Sequence, residues 1–223
     1  MTQASTAAII LAAGKGTRMN SATHKVLHSI GGRPMLAHLL ATLDRLGAAK
    51  RVLVVGAGRE QFEGRFDGLA LAVQEPQLGT GHAVMAARDA LGPHDGTVLI
   101  LYGDVPLIEA DTLASMADAL VQGGDDLALV VLGFRPADPA QYGRLILGPK
   151  GKLEAIVEYK DATSSERAIN LCNSGIMAVK GALLFDLLNA VGNDNAAGEY
   201  YLTEIVAVWK RGWWNARPMK CRG

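Results

Sequence analysis

Residues 9–19 read IILAAGKGTRM, and a lysine follows at position 25. The apolar run over residues 7–12 has the length and flanks of a buried strand, and it leads directly into small and basic residues. Glycines in such a turn let the backbone approach a ligand closely, and consecutive backbone N–H groups form a concave anion site. Lys15, Arg18 and Lys25 add full charges to it. The stretch therefore predicts an anion-binding turn after a buried strand of an α/β fold.

Two better-known phosphate motifs do not fit this turn. Met19 stands where a GxGxxG fingerprint needs its third glycine, and no glycine lies five places before a Gly-Lys-Ser/Thr, as a P-loop requires. The turn by itself leaves a second interpretation open, an ordinary exit from strand to loop with solvated basic side chains. The rest of the chain has to decide between the two.

Length, charge and cysteine content exclude several classes of protein. The 223 residues are enough for one domain with a large core. Lys plus Arg and Asp plus Glu both total 22, so we expect no nucleic-acid or membrane partner, and any anion site must be local. Cys172 and Cys221 fit no metal spacing and suit a reducing compartment. The apolar run near the amino terminus is too short for a signal peptide or a membrane span. These features predict a soluble cytoplasmic domain.

Strand and helix patterns alternate through the first 135 residues, which is typical of a parallel sheet covered by helices. Gly47 and Gly92 end two of the helices, and Thr80 is expected to cap the second one. The predicted strands cover residues 7–12, 51–56, 69–74, 97–102 and 127–134, and the predicted helices cover 34–46, 80–91 and 110–122.

The pattern changes beyond Pro136. Gly148-Pro149-Lys150-Gly151 separates two strand-like runs and indicates a hairpin. The elements predicted here are strands over 142–147, 152–158 and 171–179, helices over 181–191 and 199–211, and a strand-like run over 216–221. Trp213-Trp214 is interpreted as packing near the end of the given sequence.

Asp104 is the strongest single candidate for chemistry. It follows TVLILYG, an apolar strand and a glycine, and ligands of parallel sheets collect outside the carboxyl ends of the strands. A carboxylate there suits Mg²⁺, which takes one or two carboxylates together with phosphate oxygens and waters. The alternative is an aspartate that caps the following turn.

Two further groups of residues suit a nucleobase and a sugar. Gln74 precedes QLGTGHA at residues 77–83, and a side-chain amide matches the donors and acceptors of a uracil edge. His82 in this string is not taken as a general base, because a phosphate monoester is already an anionic nucleophile at neutral pH. Glu158 and Asn173 could bind sugar hydroxyls and an acetamide. Taken singly, these positions also suit a solvated strand end or a turn.

Several of these strings together resemble one family. LAAGxGTRM with Lys25 is similar to the signature of sugar-phosphate nucleotidyltransferases, and YGDVPL is similar to their metal motif. QLGTGHA and the GEYYLT string at 198–203 narrow the resemblance to the uridylyltransferase domain that begins the bifunctional N-acetylglucosamine-1-phosphate uridyltransferases / glucosamine-1-phosphate N-acetyltransferases. The resemblance covers nearly the whole chain. It implies a Rossmann-like nucleotidyltransferase fold, a mostly parallel sheet flanked by helices, with a small β-rich, sugar-facing lobe.

The resemblance also implies an activity: UTP and N-acetylglucosamine-1-phosphate give UDP-N-acetylglucosamine and pyrophosphate, with Mg²⁺. It implies a nucleotide lobe over about 1–135 and a sugar-facing lobe over about 136–223. Arg18, Lys25 and Asp104 would be catalytic. The substrate sites it implies are Leu11, Ala12, Ala13, Gly14 and Lys25 for the phosphates, Gln74, Gly79 and Thr80 for the nucleobase, Tyr102, Gly103 and Asp104 for ribose and metal, and Gly143, Glu158 and Asn173 for the amino sugar.

The sequence departs from the family pattern in two respects. The second metal-binding residue of the family, an asparagine after the last strand, would fall past Gly223, and the hexapeptide-repeat β-helix is absent. We therefore expect a fragment, monomeric by itself, of a homotrimeric parent. Two alternatives stay open: a nucleotidyltransferase for another sugar or nucleotide, and a nucleotide-binding fragment without turnover.

Overall fold

The computed structural model describes residues 5–14 and 19–212. Its strands, in chain order, are β1 (Thr6–Ala12), β2 (Ser29–Ile30), β3 (Arg33–Pro34), β4 (Lys50–Val55), β5 (Ala70–Val73), β6 (Thr97–Tyr102), β7 (Leu129–Phe134), β8 (Arg144–Leu147), β9 (Leu153–Val157) and β10 (Cys172–Lys180). Its helices are α1 (Met35–Leu46), α2 (Thr80–Ala86), α3 (Arg88–Leu91), α4 (Ala110–Gln122), α5 (Ser164–Arg167), α6 (Gly181–Asn189) and α7 (Ile205–Lys210).

One mixed sheet organises the part of the chain that the structure describes. Four neighbouring strands, in the order β5-β4-β1-β6, are parallel, and β1 lies at the centre with Ile9 opposite both Val52 and Ile100. The long strand β10 follows beside β6 and is antiparallel to it. It also pairs antiparallel with β7 and, at Cys172, with β8, which forms a hairpin with β9. The predicted α/β class and the mostly parallel sheet are therefore confirmed.

Both faces of the central strands are covered, which explains their continuous apolar sequences. Successive side chains of β1 point to opposite faces. Ile9 and Leu11 join the core beneath α2, α6 and α7, whereas Ile10 and Ala12 join the core beneath α1 and α4. A polar residue within this run would therefore lie buried whichever face it occupied.

Several element bounds differ from the sequence prediction. The helix predicted over 80–91 is two short helices, α2 and α3, that meet at Ala87. Thr80 does not cap α2; its hydroxyl instead accepts the backbone N–H of Leu202 at 2.9 Å. The helix predicted from 199 begins with a 3-10 turn at Leu202–Glu204 and continues as α7. The predicted strand 216–221 and Trp213-Trp214 lie outside the described residues.

Other predictions about local structure are confirmed. Gly47 ends α1 in the left-handed conformation at φ +74°. The hairpin predicted around Gly148-Pro149-Lys150-Gly151 is formed by β8 and β9. Over residues 5–14 and 19–212, no helix combines the length and apolarity needed to cross a bilayer.

Candidate active site

A cleft of about 580 Å³ lies at the carboxyl ends of the parallel strands. The register explains its position: Leu11 pairs with Tyr102, so β1 and β6 end side by side and release their following residues at the same edge. Gly103 N–H donates to the Leu11 carbonyl at 3.0 Å. The lining includes Leu11, Ala12, Ala13, Gly14, Met19, His24, Lys25, Val26, Gln74, Gln77, Gly79, Thr80, Ala83, Tyr102, Asp104 and Glu199.

One end of the cleft brings a cation and an anion together. Lys25 Nζ lies 2.5 Å from Asp104 Oδ2, although the two residues are 79 positions apart in the chain. Gly103 is not part of the lining, but a Cβ at this position would lie 3.0 Å from Cγ1 of Val26, so it permits close packing beside Lys25. Arg18 and the other residues of the predicted turn, 15–17, lie outside the described residues.

The other end of the cleft carries the side-chain amide of Gln74. This residue is buried, and its Nε2 donates to the Gly79 carbonyl at 2.9 Å and contacts His82 Nδ1 at 3.2 Å. Gly79 has φ +111°, and a Cβ there would lie 2.6 Å from the carbonyl oxygen of Tyr200. Only glycine fits a backbone with both properties.

Two backbone hydrogen bonds and one to a side-chain hydroxyl hold residues 77–81 against the segment that begins at Glu199. Tyr200 N–H donates to the Leu78 carbonyl at 2.8 Å, Gly81 N–H donates to the Tyr200 carbonyl at 2.7 Å, and the Thr80 hydroxyl accepts from Leu202. The two strings QLGTGHA and GEYYLT are therefore neighbours in space. Together they form one wall of the cleft.

A smaller pocket of about 170 Å³ adjoins the cleft and shares Thr80, Tyr102 and Glu199 with it. Glu158 and Asn173 line this second pocket. Gly143 is not in its lining, but its carbonyl accepts from Asn173 N–H at 2.8 Å, and a Cβ at this glycine would lie 3.3 Å from a Glu158 carboxylate oxygen. Gly143 therefore leaves room for the Glu158 carboxylate.

Burial shifts the proton affinity of two groups in the smaller pocket. Burial raises the pKa of Glu158, and the Thr203 hydroxyl, which donates to Oε1 at 3.3 Å, opposes that shift. Burial also raises the pKa of Tyr102 to about 12, with further contributions from the negative charges of Glu158 and Asp104. Tyr102 is consequently a neutral phenol at neutral pH.

The cleft also contains residues that the sequence did not assign to a site, among them the polar residues His24 and Gln77. His24 is buried, contacts the Phe62 ring edge-on at 4.8 Å, and lacks a hydrogen-bond partner for either ring nitrogen within the described residues. Burial lowers the pKa of His24, and the nearby Ala12 carbonyl opposes this only in part. Gln77 donates from Nε2 to the Ala13 carbonyl. The position of His24 directly before Lys25 was the only signal that could have found it.

The residues of the cleft suit a divalent metal that is also bound by a substrate. Within the described residues, no three His, Cys, Asp or Glu side chains are grouped in a way that could hold a metal. Asp104 offers one carboxylate in the cleft, and Mg²⁺ is commonly bound by one or two carboxylates together with phosphate oxygens and waters. The donor set therefore fits a metal that arrives with a nucleotide.

The fold and the cleft define a class. The structure superimposes on the crystal structure of UDP-glucose pyrophosphorylase complexed with UDP-glucose with a TM-score of 0.76, at 15% sequence identity, over 94% of this chain and 88% of that one. At this identity the likeness shows the fold alone. Residues 8–171 match the MobA-like NTP transferase domain, and the chain belongs to this family of nucleotidyltransferases.

Relatives of higher sequence identity point to a narrower group of proteins. The chain is 61% identical over 203 residues to the bifunctional protein GlmU of Rhodospirillum rubrum. The aligned residues make up 91% of this chain and 45% of that protein. The chain is 59% identical over 210 residues to GlmU of Rhizorhabdus wittichii, covering 93% and 46%, respectively. The chain thus spans about half the length of these relatives. The predicted family is confirmed, whereas the roles predicted for individual site residues stay predictions.

Proposed function

We propose that this domain transfers a uridylyl group from UTP to N-acetylglucosamine-1-phosphate, giving UDP-N-acetylglucosamine and pyrophosphate. The observation that carries the proposal is the pair of adjoining pockets. The larger one has an ion pair at one end and an oriented amide at the other, and the smaller one contains Glu158 and Asn173. A nucleotide and a sugar bound in these pockets would meet beside Tyr102.

The nucleotide is assigned to the larger pocket because that pocket offers one group of residues for the phosphates and another for the nucleobase. The backbone of 11–14, with Lys25 and Arg18, would bind the phosphates, while Gln74, Gly79 and Thr80 would bind the nucleobase. Tyr102, Gly103 and Asp104 would lie near the ribose and the metal. This assignment places most of the nucleotide site in residues 1–135, the proposed nucleotide lobe, with Glu199 of the proposed sugar-facing lobe completing its wall.

The sugar phosphate is assigned to the smaller pocket. Glu158 and Asn173 present hydrogen-bonding groups that suit the hydroxyls and acetamide of an amino sugar, and Gly143 leaves space for the Glu158 carboxylate. The half-buried Glu158 carboxylate accepts such bonds strongly when ionised, because charge-assisted hydrogen bonds are about twice as strong as neutral ones. This assignment makes residues 136–223 the sugar-facing lobe.

The reaction requires two anions to approach each other. The sugar phosphate attacks the α-phosphorus, a new P–O bond forms, and the bond to the departing pyrophosphate breaks in line with the attack. The nucleophile is already ionised, so no residue has to remove a proton. Mg²⁺, held by Asp104 and phosphate oxygens, would neutralise part of the charge. Lys25 contributes a further positive charge, and the backbone of the turn orients the phosphates.

The test is release of pyrophosphate from UTP and N-acetylglucosamine-1-phosphate with Mg²⁺. Turnover with other sugar phosphates or nucleotides in preference to these would contradict the substrate assignment. Calorimetric binding of UTP without pyrophosphate release would show a nucleotide-binding fragment. We further propose that this chain is monomeric and acts in the cytoplasm, which light scattering and cell fractionation would test.

A further inference from the structure

Two neighbours hold the Gln74 amide in one orientation. Nε2 of Gln74 lies 2.9 Å from the backbone oxygen of Gly79 and 3.2 Å from Nδ1 of His82. A backbone carbonyl oxygen only accepts hydrogen bonds, so the atom facing it must be the NH₂ group. That group has two hydrogens, one for Gly79 and the other for His82. Both donors of the amide are therefore occupied.

This arrangement also fixes the tautomer of His82. A ring nitrogen that faces an NH₂ group must present its lone pair, so Nδ1 is unprotonated and the neutral ring carries its hydrogen on Nε2. In the described part of the chain, only the ring nitrogens of His24 are buried without a hydrogen-bond partner, so Nε2 of His82 is not such an atom. The His82 ring also borders a second cavity of about 410 Å³, lined in part by Met85 and Tyr200. The Nε2 hydrogen therefore has access to solvent.

We propose that His82 is a positioning residue that selects the nucleobase by holding the Gln74 amide with its Oε1 toward the cleft. The inference rests on the proposed function, which places the nucleobase of UTP beside Gln74. N3 of uracil carries a hydrogen that Oε1 can accept, whereas N3 of cytosine is itself an acceptor. Two acceptors facing each other repel, so this orientation rejects cytosine.

The inverted amide is disfavoured by both neighbours. It would place Oε1 against the lone pairs of the Gly79 carbonyl, it would require the His82 ring to move its hydrogen from Nε2 to Nδ1, and it would offer an NH₂ group to the nucleobase. The Gly79 carbonyl already accepts the N–H of Ala83 at 3.0 Å, so it is shared between two donors. Gln74 is 4% exposed, and in such a buried setting an unmatched polar pair is costly. His82 therefore supplies an acceptor that Gly79 alone does not.

A matched pair of substitutions tests the acceptor separately from the shape of the ring. Asn and Leu side chains have nearly the same shape, but Asn places Oδ1 close to the position of Nδ1, whereas Leu offers no acceptor. We expect His82→Leu to lower the preference for UTP over CTP, measured as the ratio of calorimetric dissociation constants, by about two- to tenfold, the range of one neutral hydrogen bond. His82→Asn should retain the wild-type preference.

His38→Leu is the control. Its ring contacts the Ile30 carbonyl at 2.8 Å, and it lies on α1, which covers the face of the sheet opposite to α2 and His82, so the preference should not change. A ¹⁵N spectrum of the unsubstituted protein adds a test that needs no variant. It should show the His82 ring with its hydrogen on Nε2, with the signal assigned by its loss in His82→Asn.

The outcomes separate this inference from the proposed function. An equal loss of preference in both His82 variants, no loss in either, or a hydrogen on Nδ1 would overturn the positioning role and leave the uridylyl transfer intact. A wild-type protein that binds UTP no better than CTP would overturn both proposals. Retained preference in His82→Asn with loss in His82→Leu would support the inference.

Discussion

Lys25 Nζ and Asp104 Oδ2 lie 2.5 Å apart in the lining of the cleft, with side chains that are 41% and 33% exposed. The pair joins the segment that follows β1 in the chain to the end of β6. In the proposed reaction both partners have another task, because Asp104 binds a cation and Lys25 binds phosphate. The ion pair therefore has to open when a metal nucleotide enters.

Replacing Asp104 tests its role as a metal ligand. Asp104→Asn keeps the size of the side chain but removes its charge, and we expect turnover to fall by about 10²–10³, the usual loss for one preorganised electrostatic group. Arg18→Ala should have an effect of the same order. Pyrophosphate release at saturating Mg²⁺ measures both. Asp118→Asn, on the exposed side of α4, is the matched control, and wild-type rates in Asp104→Asn would refute the assignment.

Removing Lys25 should separate metal binding from catalysis. Without its ion-pair partner, Asp104 is free to bind a cation, so Lys25→Met should tighten binding of Mn²⁺ in the absence of nucleotide. A partly exposed pair is worth about 0.2–1 kcal/mol, which corresponds to a gain of about one and a half- to fivefold. Turnover should nevertheless fall, since the variant lacks the ammonium group that binds phosphate. Electron paramagnetic resonance of free Mn²⁺ measures the affinity, and weaker binding would contradict the competition.

Gly79 should be intolerant of any side chain. Gly79→Ala combines a strained φ of +111° with a Cβ placed 2.6 Å from the Tyr200 carbonyl oxygen. We expect a loss of about 1–3 kcal/mol in the free energy of unfolding from the backbone strain alone, and more from the clash. Gly64→Ala is the control, because its φ is also positive, at +67°, and among the described residues none beyond its chain neighbours comes within 4 Å of the added Cβ. Equal losses in urea titrations of the two variants would show that the contact with Tyr200 does not matter.

Glu158 should make both stability and sugar binding depend on pH. Burial raises the pKa of Glu158 in the folded protein above the usual 4.5. At pH values between 4.5 and the raised pKa, the folded state binds more protons than the unfolded state. Glu158 therefore lowers the free energy of unfolding as the pH rises through this range. Relative to wild type, Glu158→Gln should gain stability with rising pH. Urea unfolding across pH 4–8 is the measurement, and parallel curves for the two proteins would contradict the shift.

Binding of the sugar phosphate should follow the opposite trend. The Glu158 carboxylate accepts hydroxyl donors only when it is ionised, so KM for N-acetylglucosamine-1-phosphate should rise as the pH falls through the raised pKa. In Glu158→Gln the part of the pH dependence that comes from Glu158 should disappear, leaving that of the substrate phosphate, whose second pKa is about 6. Steady-state kinetics with UTP held at saturation measures this KM. The KM for UTP should be unaffected by the substitution and serves as the control.

The sequence predicted those features that depend on local pattern. The apolar β1 run requires burial on both faces, and Asp104 follows the most apolar strand, so both could be placed from neighbouring residues alone. The contact of Gln77 with Ala13 joins residues 64 positions apart and leaves no trace in either string. Thr80 has the composition of a helix cap, but the approach of Leu202, 122 positions away, decides its hydrogen bond.

The break at Ala87 shows a further limit of sequence reasoning. The run 80–91 has no glycine or proline between Gly81 and Gly92, so propensity predicts one continuous helix. Ala87 is fully buried beneath the sheet, where packing of α2 and α3 against the core outweighs the weak preference for continuing the helix. His24 was missed for a similar reason, since its burial depends on Phe62.

The contacts between loop 77–81 and residues 200–202 set a lower limit on how far the domain can be shortened. A polypeptide cut before Tyr200 would lose the hydrogen-bond partners of Leu78, Gly81 and Thr80. It would lose with them the wall of the cleft beside Gln74. Trimming from the carboxyl end removes the buried residues of α7 first and these partners next, so such a polypeptide should lose core packing as well as nucleotide recognition.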